Sequence, residues 1–165
     1  MIRTHKKIAY PGLLLLLVFV GSCLLVGAKA PDYLKYSLAV KPGDLNIVHM
    51  PASPTRTYSE EFTFTVNNPM RSDFNGSSPN CQTFDVEVFF VGMDKETLVW
   101  KWSSGQMFCQ HVTPVPIPAV QSWKQKAVWT FKPDTVQNGK YRAVATFIPT
   151  GNKEAVANFQ ISSVH

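Results

Sequence analysis

The chain has 165 residues, of which 45% are hydrophobic and 16% charged, a balance typical of one globular domain. Its formal net charge of +5 comes largely from three basic residues near the N-terminus, so residues 29–165 carry 13 − 11 = +2. The remaining lysines and arginines are scattered singly, which argues against a nucleic-acid partner.

Residues 1–28 have the composition of an export signal or membrane anchor. Residues 8–28 contain no charge and, at 21 residues, are about long enough to span a bilayer. Three outcomes stay open: cleavage after Ala28, retention as an anchor, or lipidation of Cys23, which ends a lipobox-like stretch, VGSC. Each places the rest of the chain outside the cytoplasm, secreted or attached to the membrane. We therefore predict a leader at 1–28 and an extracytoplasmic domain at 29–165.

Short alternating stretches separated by Pro, Gly, Asn and Asp predict that this domain is an all-β, immunoglobulin-like sandwich of seven to nine strands. Residues 71–80 are polar and predict a loop. Tyr141, directly after the turn Asn138-Gly139, is placed as a tyrosine-corner residue would be. The predicted strands lie at 34–40, 45–49, 58–66, 84–91, 98–102, 127–131, 141–148 and 155–161.

Two of these strands show a clear period of two, which assigns side chains to faces. In the strand at 58–66, Glu60 and Glu61 fall on opposite faces. In the strand at 84–91, Asp85 and Glu87 are expected on the wet face. The residues expected to point inward are Phe62, Phe64, Val66, Phe84, Val86, Val88 and Phe90.

The stretch VWKWSSGQMFCQ at 99–110 combines aromatic residues, a small-polar turn and a cysteine. Trp100 and Trp102 share one face of a strand, which favours core packing, as it does for the tryptophans at 123 and 129. Residues 103–105 predict a turn, after which Met107 and Phe108 are expected to return to the apolar interior.

Cys81 and Cys109 flank the hairpin at 84–102, so they can lie close together. In an oxidising compartment this favours a disulfide, which contributes about 3 kcal/mol in the loop-entropy model. The alternative is two free buried thiols. With His111 they form three potential metal ligands, but a structural zinc site uses four and no C-x-x-C pair is present. We predict no metal and no other cofactor.

Four stretches together resemble the intracellular proteinase inhibitor family, BsuPI. They are FTFTVNN at 62–68, FDVEV at 84–88, VWKWS at 99–103 followed by GQMF at 105–108 and Gln110, and GKY at 139–141. The resemblance covers roughly residues 55–148. It implies an immunoglobulin-like sandwich without enzymatic activity, in a family whose founding member inhibits a bacterial serine protease. Two features depart from the family: the leader, and Cys109, which stands where a small polar residue is typical.

No catalytic pattern is apparent, because Ser103-Ser104-Gly105 lacks the G-x-S-x-G frame and the histidines are scattered. We therefore predict a non-enzymatic domain that binds a protein partner of the cell envelope. The alternatives are inhibition of a subtilisin-like serine protease and, with less support, carbohydrate or small-ligand binding. Alternating prolines restrict the backbone of the predicted partner-binding loop, which would lose little entropy on docking. That loop comprises His111, Val112, Thr113, Pro114, Val115, Pro116, Ile117 and Pro118.

Overall fold

The computed structural model describes residues 33–48, 56–151 and 153–164. The predicted leader at 1–28, including Cys23, lies outside this range. Within it, none of the helices has the length and apolar character needed to cross a membrane.

The described residues form ten β-strands joined by turns and three short 3-10 helices, η1 to η3. The strands are β1 (Lys35–Lys41), β2 (Leu45–Val48), β3 (Tyr58–Asn67), β4 (Phe74–Ser78), β5 (Phe84–Val91), β6 (Glu96–Lys101), β7 (Thr113–Ile117), β8 (Ser122–Phe131), β9 (Gly139–Phe147) and β10 (Lys153–Val164). The 3-10 helices are η1 (Trp102–Gly105), η2 (Pro133–Thr135) and η3 (Ile148–Thr150).

The strands are arranged in a three-stranded sheet of order β1-β3-β8, a five-stranded sheet of order β2-β10-β9-β5-β6, and a two-stranded sheet of β4 and β7. Neighbouring strands are antiparallel except β2 and β10, which run parallel. This arrangement confirms the prediction of an all-β, immunoglobulin-like fold, although the described residues contain ten strands where seven to nine were predicted.

The core lies between the two larger sheets and is rich in aromatic side chains. On β3, the ring of Phe62 lies 5.9 Å from that of Phe159 on β10, and the ring of Phe64 lies 6.4 Å from that of Phe147 on β9. Each such side chain stabilises the fold by about 2 to 3 kcal/mol through burial. The inward positions predicted for β3 are confirmed, since Phe62, Phe64 and Val66 are fully buried.

The prediction of a polar loop at 71–80 is wrong, because these residues contain β4. Phe74 and Ser78, at its ends, are buried, and its backbone pairs along its whole length with β7. Between them Gly76 passes so close to Phe74 that an added Cβ would lie 2.5 Å from the ring. A strand this short with glycine at its centre shows little apolar alternation, which is why the sequence pattern did not reveal it.

The predicted tyrosine corner is present at the start of β9. The hydroxyl of Tyr141 donates to the carbonyl oxygen of Gln137 at 2.6 Å and accepts from the Gln137 N–H at 3.1 Å. Burial raises the pKa of this phenol. The pair of hydrogen bonds fixes the connection between β8 and β9 against the core.

Candidate binding surface

The predicted partner-binding loop is mostly a strand. Residues 113–117 form β7, in which Val115 and Ile117 are buried in the core while Pro114 and Pro116 face outward. Proline lacks an N–H, so its positions suit a strand that pairs along one edge only. The exposed members of the segment are His111, Val112, Pro114, Pro116 and Pro118, and Thr113 is partly exposed.

The end of β7 is held by the buried side chain of Asn68, directly after β3. Its Nδ2 atom donates to the carbonyl oxygens of Ser72 at 2.9 Å and Ile117 at 3.0 Å, and its Oδ1 atom accepts from the Met70 N–H at 3.1 Å. A buried side-chain amide whose donor and acceptor groups all have hydrogen-bond partners holds the surrounding backbone rigidly. Asn68 therefore joins the β3–β4 connection to the β7–β8 connection.

Further hydrogen bonds tie these two connections together. The N–H of Val120 donates to the Met70 carbonyl oxygen at 3.0 Å, and the N–H of Ala119 donates to a carboxylate oxygen of Asp73 at 2.8 Å. The turn closes with a bond from the N–H of Gln121 to the Pro118 carbonyl oxygen at 3.2 Å.

Val120 is the most unusual residue of this region. Its φ of 58° lies in the left-handed region, which β-branched residues rarely adopt, and its side chain is 69% exposed. Met70 beside it is 43% exposed. Strain of this kind persists only where the surrounding bonds impose it, and it is concentrated at functional sites. We call Met70, Pro118 and Val120 the tip surface. Of these three residues, Pro118 belongs to the partner-binding loop predicted from sequence, whereas Met70 and Val120 lie outside it.

At the other end of β7, Cys81 and Cys109 are joined in a disulfide, with Cα atoms 5.2 Å apart. The bond links the start of β5 to the segment after η1, as the sequence predicted. His111 lies beside it, with its Nε2 atom 3.6 Å from Cys109 Sγ and 3.9 Å from Cys81 Sγ.

Asp85 organises the stretch that leads to this disulfide, and its predicted position on the wet face is wrong. Its carboxylate accepts from the Ser103 hydroxyl at 2.6 Å, the Ser103 N–H at 3.1 Å and the Val86 N–H at 2.9 Å, while Lys101 lies 3.4 Å away. Because η1 folds back over this position of β5, the side chain is buried. The charge is thus compensated by hydrogen bonds and one ammonium group.

The rest of the 99–110 stretch divides between core and surface. Trp100 stacks on Phe62 at 5.8 Å and Trp102 on Phe84 at 4.3 Å, which confirms their packing role. Phe108 is partly buried against Trp102, but Met107 is fully exposed, so its predicted return to the interior is wrong. Residues 104–107 are exposed, and the chain turns partly inward again at Phe108 and at Cys109 of the disulfide.

One carboxylate is buried in the core without a charged partner. Glu60 on β3 is fully buried, and its Oε2 atom accepts from the Gly43 N–H at 3.2 Å, whereas Oε1 has no partner among the described residues. Burial raises the pKa of Glu60 to about 7; the Gly43 hydrogen bond opposes this rise and the charge of Asp44 adds to it. Glu60 holds the β1–β2 turn to the sandwich.

An open cleft of about 580 Å³ lies between the β5–β6 turn and η2. Apolar side chains line part of it, among them Phe90, Val99 and Val136. No tryptophan contributes to its lining, whereas Trp129 lines a second open cleft of about 510 Å³ together with Thr57 and Lys132.

The sequence model of the family described as intracellular proteinase inhibitor, BsuPI, matches residues 50–151, more than half of the chain. The chain belongs to this family. The stretches that resemble BsuPI have different structural roles. Residues 62–68 supply core side chains of β3 and the Asn68 amide that binds the end of β7, which we call the Asn68 clamp. Residues 99–103 supply the stacked indoles and the Ser103 contact to Asp85, and residues 139–141 supply the tyrosine corner.

No curated protein matches this BsuPI chain. Similar solved structures include the alkylpurine DNA glycosylase AlkC from Pseudomonas fluorescens, at 11% identity over 79% of this chain and 30% of that one, with a TM-score of 0.44. The sporulation control protein Spo0M from Bacillus subtilis has 11% identity over 82% of this chain and 51% of its own, with a TM-score of 0.42. The CARDB domain of PF1109 from Pyrococcus furiosus has 14% identity over 80% of this chain and 98% of its own, with a TM-score of 0.39. The chain spans about a third of the first structure and half of the second; at TM-scores below 0.5, none of the three indicates a function.

Proposed function

We propose that this BsuPI-family chain is a non-enzymatic, extracytoplasmic domain that binds a protein partner of the cell envelope through the tip surface. The observation that carries the proposal is Val120, an exposed apolar residue in the left-handed region, whose N–H donates to the Met70 carbonyl oxygen while the N–H of the preceding Ala119 donates to Asp73. Backbone strain at residues other than glycine clusters at ligand-binding and switch regions, where it is part of the mechanism, and this supports a contact role for Val120.

The clamped loop has the properties expected of a protein-binding element. Three backbone hydrogen bonds and the Asn68 amide restrict residues 118–121 before any partner arrives. Binding then costs little conformational entropy, so a small apolar contact contributes more of its burial energy to affinity. The exposed prolines of β7 extend this rigid surface from the tip towards the disulfide.

The absence of an enzymatic activity is part of the proposal. Within the described ranges, His111 is the only histidine, and its Nε2 atom contacts the two sulfurs of the disulfide rather than a serine hydroxyl. A serine nucleophile needs a base within hydrogen-bond reach. The buried carboxylate of Glu60 faces the core, away from any substrate.

An extracytoplasmic location is supported by two independent features. The sequence begins with a basic segment followed by an uncharged apolar run, which is typical of export. The disulfide, which joins partly exposed residues, persists in oxidising compartments.

Affinity capture tests this function. The tagged chain is incubated with the native envelope fraction, and the proteins it retains are compared among wild type, Val120→Arg and Val128→Arg. Val128 is the matched control, because it is an exposed valine on the outer face of β8, opposite Glu61. We expect a retained partner that Val120→Arg loses and Val128→Arg keeps. Equal retention by both variants would contradict a role for the tip surface.

The second candidate function is inhibition of a subtilisin-like serine protease, which the family description favours. A rigid exposed loop is also what an inhibitor presents to a protease. Residual activity of a panel of such proteases is measured against increasing concentrations of the purified chain. Inhibition that Val120→Arg abolishes would establish this function, whereas full protease activity at micromolar excess of an intact chain would exclude it.

A further inference from the structure

Three residues with metal-binding side chains meet at the start of β7. Cys81 precedes β5, whereas Cys109 and His111 lie two residues apart in the connection between η1 and β7, so two segments of the chain meet at one point. Their ligand atoms all lie within 4.8 Å of one another. The sequence argument named the same three residues and set a metal aside because a structural zinc site uses four protein ligands and no C-x-x-C pair is present; a site whose fourth ligand is water needs only three.

The distances from the histidine to the sulfurs match those of a zinc site. Zn²⁺ binds thiolate sulfur at about 2.3 Å and imidazole nitrogen at about 2.0 to 2.1 Å in a tetrahedral arrangement, which separates nitrogen from sulfur by about 3.6 Å. The observed separations from His111 Nε2 are 3.6 Å to Cys109 Sγ and 3.9 Å to Cys81 Sγ. The two sulfurs are joined covalently here, and for both to bind one ion their separation has to open to about 3.8 Å.

The surroundings leave room for a metal and for its fourth ligand. His111 is exposed and both cysteines are partly exposed, so an ion can enter from solvent. The hydroxyl of Thr113 lies 3.6 Å from Cys81 Sγ, where it can hold a metal-bound water. Two cysteines, one histidine and a water form an established zinc ligand set.

We propose that the reduced, folded chain binds one Zn²⁺ through Cys81, Cys109 and His111, so that a disulfide and a zinc ion are alternative cross-links at the same place. A dithiol supplies two electrons and two protons, which convert the disulfide into two thiols while the dithiol becomes a disulfide. Zn²⁺ then displaces the two thiol protons and forms two bonds to sulfur and one to the neutral imidazole.

This site is separate from the tip surface. It lies at the Thr113 end of β7, whereas Pro118 and Val120 follow the other end, Ile117. Five residues of extended strand span about 17 Å. A metal bound beside Thr113 would keep the segments around residues 81 and 109 joined when the disulfide is open, and so preserve the path of the chain into β7.

The test measures metal binding by the full chain, purified in detergent, in its oxidised and reduced forms. Cys23→Ser serves as the background, since it leaves Cys81 and Cys109 as the only cysteines of the chain. A phosphine replaces the dithiol as reductant so that the reductant does not compete for metal. Zn²⁺ affinity is obtained by competition with a chromophoric chelator, and Co²⁺ reports sulfur ligation through its thiolate charge-transfer absorption. Near-ultraviolet circular dichroism reports whether the reduced chain keeps its tertiary structure.

We expect the reduced chain to stay folded and to bind one Zn²⁺, and the oxidised chain to bind none at this site. His111→Ala should weaken binding by more than about 100-fold, because loss of even an outer-shell partner commonly costs about 10- to 100-fold. His49→Ala serves as the control, because His49 is far from these residues in sequence, and it should leave the Zn²⁺ affinity unchanged. The proposal is overturned if the reduced chain unfolds, if Co²⁺ shows no thiolate absorption, or if His111→Ala binds Zn²⁺ as tightly as the background.

Discussion

The buried carboxylate of Glu60 makes the stability of this domain depend on pH. Its pKa of about 7 in the folded chain stands above the ordinary value of 4.5, so the folded state binds the proton more tightly than the unfolded state. A difference of this size corresponds to at most about 3 kcal/mol. Because the group is an acid whose pKa is raised, the associated stability is complete below pH 4.5 and is lost as pH rises through 7.

The test compares wild type with Glu60→Gln, which cannot ionise. The free energy of unfolding is measured by urea denaturation at intervals from pH 5 to pH 8. As the pH rises from 5 to 8, we expect the unfolding free energy of Glu60→Gln to increase by about 2 to 3 kcal/mol relative to that of wild type. The gain is read as a change with pH, so it does not depend on the constant cost of the buried amide that glutamine introduces.

Glu61→Gln is the matched control. Glu61 is the next residue of β3, but it lies on the outer face and pairs with Lys126 at 2.8 Å. We expect this variant to keep the pH dependence of wild type. If the unfolding free energies of wild type and Glu60→Gln instead run parallel from pH 5 to pH 8, then the carboxylate is not held neutral in the core and the reasoning from burial is wrong.

Three other variants test the remaining structural assignments by urea denaturation. Tyr141→Phe should lower the unfolding free energy by about 1 to 2 kcal/mol, because it removes both hydrogen bonds to Gln137; an unchanged value would contradict the corner. Asp85→Ala should lower the unfolding free energy by about 2 to 3 kcal/mol, since it leaves the N–H of Ser103 unpaired. Glu87→Ala loses mainly a partly exposed ion pair with Lys101 and should lower it by less than about 1 kcal/mol. Equal losses in the two variants would refute the special role of Asp85. Val120→Gly should raise stability by about 1 kcal/mol by relieving the left-handed strain, and a clear loss would show that the valine side chain stabilises the loop.

The strands with strict alternation could be assigned from sequence because one of their faces is buried. Phe62, Phe64 and Val66 had to share a face of any strand, and the core is where apolar residues of a period-two pattern go. Tyr141 could be placed because the turn at 138–139 fixes the start of β9. The disulfide followed from the flanking positions of Cys81 and Cys109 around a hairpin.

Side chains on the outer face were harder to place, because the sequence does not show what folds over that face. Asp85 alternates like a solvent-facing residue, and only the return of η1 across β5 buries it. Met107 stands beside the apolar Phe108, yet it is fully exposed, because no element of the described residues covers this part of the connection after η1.

The sequence by itself therefore determined the fold class, the family and the covalent cross-link, since these depend on local alternation and on contiguous motifs. Tertiary structure decided the surfaces. The Asn68 clamp joins the β3–β4 connection to the end of β7, through a hydrogen bond between Asn68 and Ile117, which are 49 positions apart in the chain. That contact presents Val120 at the tip, while the connection before β7 places His111 beside the disulfide. Long-range hydrogen bonds and strand pairing create both sites, and such contacts leave no local pattern in the residues that make them.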